Sequence, residues 1–430
     1  MLRALFPRNR AVHTGLQTGD EGRRDGPSLC DARSSISYQT APARANGGRA
    51  CNGIGSIMEY IQTASQLGAM VDRISDARSV AVDTEAAGYH RYFDRVCLVQ
   101  LSTPSATYVV DTLAIGDLDG LKSILERPET EVVFHDADYD LRLLARDFDV
   151  RVRGLFDTKI AAQFLGEPSV GLASLTEKYL GVRLEKAYQR ADWARRPLPR
   201  EMLEYAAEDT RHLLPLRDRL RDALAALGRL AWAEEEFALH EQVRWTPAAE
   251  DPDTYLRLKG TRDLLPRQLA ALRELYAWRE SVARSRDVAP FRVITNEALV
   301  EIARRLPTRP DQLAVPGAPR ALAQRHGAGI LAAVRRAKAL PEDELPVRRK
   351  GPRRPPPDPE FDAAVERLRA ARDAAAEALG LDRGFLMPRA QLEEIARARP
   401  HTPEELAALP GIRRWQVEAV GDRILQALGD

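Results

Sequence analysis

SVAVDTEAAGYHRYFDRVCLVQLS, from Ser79 to Ser102, is the stretch from which the fold reads outward. Ser79–Thr84 is a short β-rich run, and Val96–Ser102 (VCLVQLS) is a second. Thr107–Asp111 (TYVVD) follows after another short connector, so the three read as neighbouring strands of an antiparallel meander. Asp83 and Glu85 stand two apart on the first strand. A period of two places both carboxylates on one face at the strand's C-terminal end. Hard oxygen donors held on one side suit a divalent cation. With 63 acids in the chain, however, an Asp-x-Glu pair is also a common solvated feature.

Further along, Glu131–His135 (EVVFH) reads as a fourth strand running into a helical stretch, DYDLRLLARDF. Helical patterns continue through DTKIAAQFLG, GLASLTEKYLG and a longer helix from about Arg200. Strands, then a strand–helix unit, then helices describe an α/β domain with a mixed sheet. Beyond it, LVEIARRLPTRPDQL (Leu299–Leu313) is repeated as LEEIARARPHTPEEL (Leu392–Leu406), each copy ending in a Pro-Gly step, Pro316-Gly317 and Pro410-Gly411. A basic, Pro-rich segment, Pro341–Pro359, separates them as a linker, so two similar all-α modules stand in tandem. The expected organisation is an extension over 1–57, an α/β domain over 58–220 and a helical connector over 221–260. Helical modules follow over 261–340 and 360–430, with the linker 341–359 between them.

At 430 residues the chain exceeds one core. Its net charge of +1 does not by itself announce a nucleic-acid binder, and an acidic site beside basic faces fits that balance. Three cysteines, Cys30, Cys51 and Cys97, form no disulfide or zinc pattern, which points to a reducing cytoplasm. No apolar run is long enough to span a bilayer. Residues 1–57 are rich in Arg, Gly and Ser without periodicity. We read them as a disordered extension, or as an early start ahead of Met58, in preference to a transit peptide.

Two further acidic groups complete the pattern. Asp140 begins an amphipathic helix after the fourth strand, with Asp136 and Asp138 as rivals or helix caps in the same turn. In EYAAEDTRHLL, Tyr205 and Asp209 are four apart and share one helical face, an arrangement that also suits a buried hydroxyl and its acceptor. Asp157, just before Thr158, reads as a helix N-cap.

Taken in order, Asp-x-Glu, a later Asp and Tyr-x-x-x-Asp resemble the DEDD exonuclease superfamily, in its subgroup with tyrosine in the last motif. The other subgroup has His five residues before the final Asp, where this chain has Glu204. FHDADYDLRLL, FDTKIAAQFLG and LEKAYQRADWARRPL extend the resemblance to the ribonuclease D family, and the repeated modules resemble HRDC domains. One departure is Asp136, where the second motif often carries Asn.

The resemblance implies a ribonuclease H-like exonuclease domain followed by two HRDC modules. It implies that Asp83, Glu85, Asp140 and Asp209 hold two divalent cations, Mg²⁺ or Mn²⁺, with Tyr205 orienting the attacking water. Unperturbed, a phenol is a poor base at neutral pH, its pKa being about 10. His90, Lys186, Gln189 and Trp193 are candidate substrate contacts, with core packing as the alternative for Trp193. Arg284, Arg286, Arg304, Arg305, Arg397, Arg413 and Arg414, and Arg348, Arg349, Lys350, Arg353 and Arg354 of the linker, are candidate phosphate contacts. The implied substrate is RNA with a free 3′ end, such as a tRNA precursor, hydrolysed from that end by a monomer. A DNA exonuclease and a binding adaptor with a decayed site are the competing readings.

Overall fold

The computed structural model describes residues 58–185, 187–247, 249, 251–318, 321–348 and 358–429. The extension 1–57, Lys186, and Arg349, Lys350, Arg353 and Arg354 of the linker lie outside the described residues.

A six-stranded mixed sheet has the order β1-β4-β3-β2-β5-β6. Its strands are β1 (Met58–Ile61), β2 (Ser79–Ala86), β3 (Val96–Ser102), β4 (Thr107–Asp111), β5 (Glu131–Phe134) and β6 (Leu155–Asp157). β2, β3 and β4 form the antiparallel meander, while β1 joins β4 and β5 joins β2 in parallel. β1 and β6 were not anticipated: at four and three residues they are too short to display a period. β3 is buried along its whole length, which is why VCLVQLS reads as a near-continuous apolar run rather than an alternation.

Helices α1 (Ala64–Ile74), α2 (Thr112–Ile115), α3 (Asp119–Leu125), α4 (Asp138–Phe148), α5 (Thr158–Phe164) and α6 (Leu172–Leu180) follow or connect the strands. The long helix expected from Arg200 is two, α7 (Arg200–Arg211) and α8 (Leu213–Ala226), broken at His212. α7 lies over β1–β4 on one face of the sheet, with Met202, Leu203, Ala206 and Ala207 closing a small core over Leu98 and Val109. α8 runs on past residue 220 and packs against β2 and β5.

α9 (Leu230–His240) leads to the helical modules. The first contains α10 (Pro266–Ser285), α11 (Pro290–Val293), α12 (Asn296–Arg305) and α13 (Leu322–Ala339). The second contains α14 (Pro359–Leu379), α15 (Arg383–Leu386), α16 (Arg389–Ala398), α17 (Pro403–Ala407) and α18 (Arg414–Gly429). α14, α15 and α16 each begin 93 residues after α10, α11 and α12. Leu306 and Arg399 end the equivalent helices α12 and α16 in the left-handed conformation, so the sequence repeat is a structural repeat.

Both modules dock on the exonuclease-like part rather than hanging from linkers. Phe164 of α5 meets Phe385 at 4.8 Å and Trp415 at 4.9 Å, and Trp232 of α9 lies 5.9 Å from Trp415. Each such aromatic pair contributes roughly 0.5–1.5 kcal/mol beyond its buried area. Gly166 is confined to glycine by a φ of 72° and by the Gly380 carbonyl oxygen, into which a Cβ would run. The first module grips the β2–β3 loop through backbone and side-chain hydrogen bonds as well as ring contacts: Ala289 N–H donates to the His90 carbonyl at 3.0 Å and Phe93 N–H to Asp287 at 3.0 Å.

Candidate active site

β2 carries Asp83 and Glu85 on the face that α7 covers. The β2–β3 register slips between Glu85 and Ala86, ending regular pairing just past the second carboxylate. Such an irregularity re-aims the chain beside a site. From α7, Asp209 comes down onto the pair, and Asp83, Glu85 and Asp209 each offer an oxygen within 4.8 Å of the others. The three are half-buried. Burial, and then the charges of Asp140, Asp209 and Glu85, push the Asp83 carboxyl well above its usual range. A group in that position gains from a cation and suffers without one.

Asp140 approaches Asp83 from α4, and of the neighbouring charges its carboxylate acts most strongly on the Asp83 carboxyl. It is buried in the first turn of α4, and its carboxylate accepts a hydrogen bond from Thr84 Oγ1. The structure thus brings three of the four expected carboxylates into one cluster. The fourth lies close enough for its charge to act on Asp83.

Neither rival acid caps α4. Its N-cap position is Ala137, without a side-chain cap bond. Asp136 has a left-handed φ of 66° and pairs with Lys159 at 2.7 Å. Asp157 does more than cap α5. Its carboxylate accepts from Lys159 N (2.8 Å) and Ile160 N (3.2 Å), and equally from Asp136 N (3.1 Å) and Ala137 N (2.7 Å). One side chain therefore fixes the left-handed turn from which the Asp140 helix departs.

Tyr205 lies one turn before Asp209. Its ring stacks on Trp193 at 6.3 Å and 24°, and meets Tyr188 edge-on at 5.5 Å. Trp193 is only 2% exposed, so it offers no surface to a substrate. The substrate contact expected there is corrected to core packing beneath Tyr205. Gln189 is exposed on the same segment. Arg196 ties that segment to the end of β4 through Asp111 at 2.7 Å. Burial alone would raise the Asp111 carboxyl, but hydrogen bonds from Arg196 and Tyr60 outweigh it and hold the group below the usual range. His90 donates through Nε2 to the Arg190 carbonyl at 2.8 Å, linking the β2–β3 loop to the same segment.

Sequence reasoning missed Gln100. It lies directly opposite Asp83 in the register, is fully buried, and among the described residues neither amide atom has a hydrogen-bond partner. A lone amide in an otherwise apolar strand was the available signal. Several expected phosphate-binding arginines are engaged within the protein: Arg304 and Arg305 with Glu301, Arg397 with Glu394, Arg413 with Glu236, and Arg348 with Thr261.

Comparison with known proteins matches residues 58–225 to a 3′-5′ exonuclease family, and residues 268–334 and 361–428 to the HRDC domain family. Ribonuclease D of Gluconacetobacter diazotrophicus is 37% identical over 316 residues, covering 72% of this chain and 80% of that protein. The crystal structure of Escherichia coli RNase D, described as an exoribonuclease involved in structured RNA processing, superposes with a TM-score of 0.62 at 30% identity, covering 87% of this chain and 99% of that one. The catalytic core of RRP6 from Trypanosoma brucei gives 0.59 at 31% identity over 67% of this chain and 82% of its own.

Proposed function

Because the chain belongs to the ribonuclease D family, and is with it a divalent-metal-dependent 3′-5′ exoribonuclease, we propose that Asp83, Glu85, Asp140 and Asp209 hold two cations, Mg²⁺ or Mn²⁺, beside Tyr205. The observation that carries this reading is the cluster of Asp83, Glu85 and Asp209, with Tyr205 one helical turn from Asp209. The donor set is all hard oxygen, which suits these ions. The raised Asp83 carboxyl is the electrostatic mark of a site that a cation completes. When bound, the ions neutralise the phosphoryl oxygens and stabilise the leaving oxygen.

The protein's own groups do the positioning. Tyr205, wedged by Trp193 and Tyr188, directs its hydroxyl at the attacking water. That water forms a new bond to phosphorus, and the bond to the 3′ oxygen of the preceding nucleotide breaks, that oxygen leaving with a proton. Orientation is the fitting role for Tyr205, because a phenol binds its proton too tightly to serve as the base at neutral pH. His90 and Gln189 line the approach, with Lys186 of the same segment a phosphate contact. Residues 58–220 form the catalytic domain, and the HRDC modules over 261–340 and 360–430 add reach for structured RNA.

The biological role that follows is 3′ maturation of tRNA precursors and other stable RNAs by a cytoplasmic monomer. Among the described residues no helix is long and apolar enough to cross a membrane. The test is a time course on end-labelled RNA and DNA oligomers with Mg²⁺, Mn²⁺ or EDTA, with Asp209→Asn as the contamination control. Stepwise shortening of RNA from its 3′ end, abolished by EDTA and by the substitution, is the expected outcome. Preferential degradation of DNA would move the substrate assignment, and turnover that survives Asp209→Asn would refute the site.

A further inference from the structure

Four aromatic side chains are more than a third exposed among the described residues: Tyr89 (44%), Phe93 (43%), Tyr139 (48%) and Phe291 (38%). All four belong to the β2–β3 loop or touch it. Tyr89 and Phe93 belong to the loop that follows Glu85. Tyr139 precedes Asp140 and donates its hydroxyl to Asp94 of that loop at 2.5 Å. Phe291 comes from the first HRDC module, yet its ring lies 5.5 Å from that of Tyr89. Scattered single exposed apolar residues need no explanation, but the gathering of every exposed aromatic at one place does.

The charges around the pair narrow what covers it. The Arg292 guanidinium sits over both rings, 5.6 Å from Tyr89 and 5.7 Å from Phe291, and Arg190 sits 5.9 Å from Tyr89. Neighbouring Arg91 and Arg95 are neutralised by Asp192 (2.8 Å) and Asp287 (3.4 Å). Among the described residues Arg190 and Arg292 have no such acidic partner, so their charge remains available to an anionic ligand. Aromatic faces interleaved with unneutralised arginines are the surface that single-stranded nucleic acid takes: bases stack on rings and guanidinium planes while phosphates meet the charge. The platform lies a few residues along the chain from the expected reaction site. Tyr89 is four residues past Glu85, within about 14 Å along an extended chain. Arg190 is two residues from Tyr188, which packs on Tyr205.

We propose that Tyr89 and Phe291, flanked by Arg190 and Arg292, form a base-stacking station for the single-stranded 3′ tail of the RNA, a few nucleotides behind the scissile bond. The station is split between the catalytic domain and the first HRDC module and exists only because that module docks on the β2–β3 loop. It rests on the exoribonuclease reading for the identity of the polymer, and on the surface alone for the stacking.

The test is a binding cycle with the full-length protein in EDTA, so that no turnover is required. Wild type, Phe291→Ala and Phe291→Tyr are titrated with RNA oligomers carrying either an intact or an abasic nucleotide at each of the positions behind the 3′ end. One lost stack weakens binding on the order of 5- to 150-fold. The expected result is a single position at which the abasic RNA and the Phe291→Ala variant each lose that factor, the two losses together being no greater than either alone. Phe291→Tyr restores the affinity. Losses that multiply at every position would overturn the proposal, as would unchanged RNA affinity with an altered sedimentation behaviour, which would assign the patch to self-association. Melting temperature, measured alongside, separates lost stacking from lost docking. Wild-type turnover with Mg²⁺ is scored separately: a protein that shows the stacking cycle but degrades no RNA would sink the catalytic reading and leave the station in place.

Discussion

Asp83→Asn removes one negative charge from the carboxylate cluster while keeping the side chain's shape, and its effect on stability should change sign with metal. Asp83, Glu85 and Asp209 offer oxygens within 4.8 Å of one another. At an effective dielectric of about 20, each ionised pair at that distance repels by about 3.5 kcal/mol. The substitution deletes two of the three pairs, and with them the repulsion from Asp140, the largest single charge acting on Asp83. Proton uptake by Asp83 and solvent screening at a half-buried site reduce what is recovered to about 1–3 kcal/mol. That corresponds to roughly 2–10 °C in the metal-free melting temperature of a unit of this size. With Mg²⁺ or Mn²⁺ at about one hundred times its dissociation constant, wild type gains about 2.7 kcal/mol, most of which the variant forgoes.

The thermal melts therefore cross: Asn above Asp in EDTA, Asp above Asn in saturating metal. A pH series adds a second signature. The Asp83 carboxyl is raised above its ordinary 3.8, so between that value and its folded one the native state holds a proton that the unfolded chain gives up. Its contribution to metal-free stability falls as pH rises through that window, and the slope should flatten in the variant. A variant that melts below wild type in EDTA, or that keeps the full metal-induced shift, would refute the reasoning.

Tyr205→Phe keeps the stack on Trp193 and the edge contact with Tyr188 but removes the hydroxyl. Turnover should fall about 10²-fold or more, with KM and melting temperature little changed, as steady-state kinetics and calorimetry would show. Gln100→Leu replaces a buried amide that has no partner among the described residues by an apolar side chain of similar size. It should stabilise the metal-free protein by about 1–3 kcal/mol in a denaturant titration; a loss of stability would mean that the amide is satisfied. Asp157→Ala strips four backbone N–H groups of their acceptor. A loss of about 2–4 kcal/mol together with weakened metal-induced stabilisation is expected, whereas unchanged metal response would show that the turn before Asp140 holds by itself.

Much of the fold was legible because it is written at short range. The meander shows in VCLVQLS and TYVVD. The side-by-side placement of Asp83 and Glu85 follows from the period of a strand, and that of Tyr205 and Asp209 from the pitch of a helix. The duplicated module shows as one pattern recurring at a constant offset. The sequence by itself also supplied all the acids of the site, as pairs or single residues within their own elements.

Only the tertiary structure decided how those pieces meet. Asp209 reaches Asp83 because α7 crosses the sheet above β2, while Asp140 comes to Asp83 from α4, its carboxylate accepting from Thr84. Asp157 serves two elements at once, Trp193 is buried against the ring of Tyr205, and Phe291 of a distant module packs beside Tyr89. The physical reason is common to all of these. Periodicity reports which face of an element is apolar, whereas a contact between residues far apart in the chain depends on how whole elements pack. That packing is set by shape and burial across the fold and leaves no mark on the spacing of neighbouring residues.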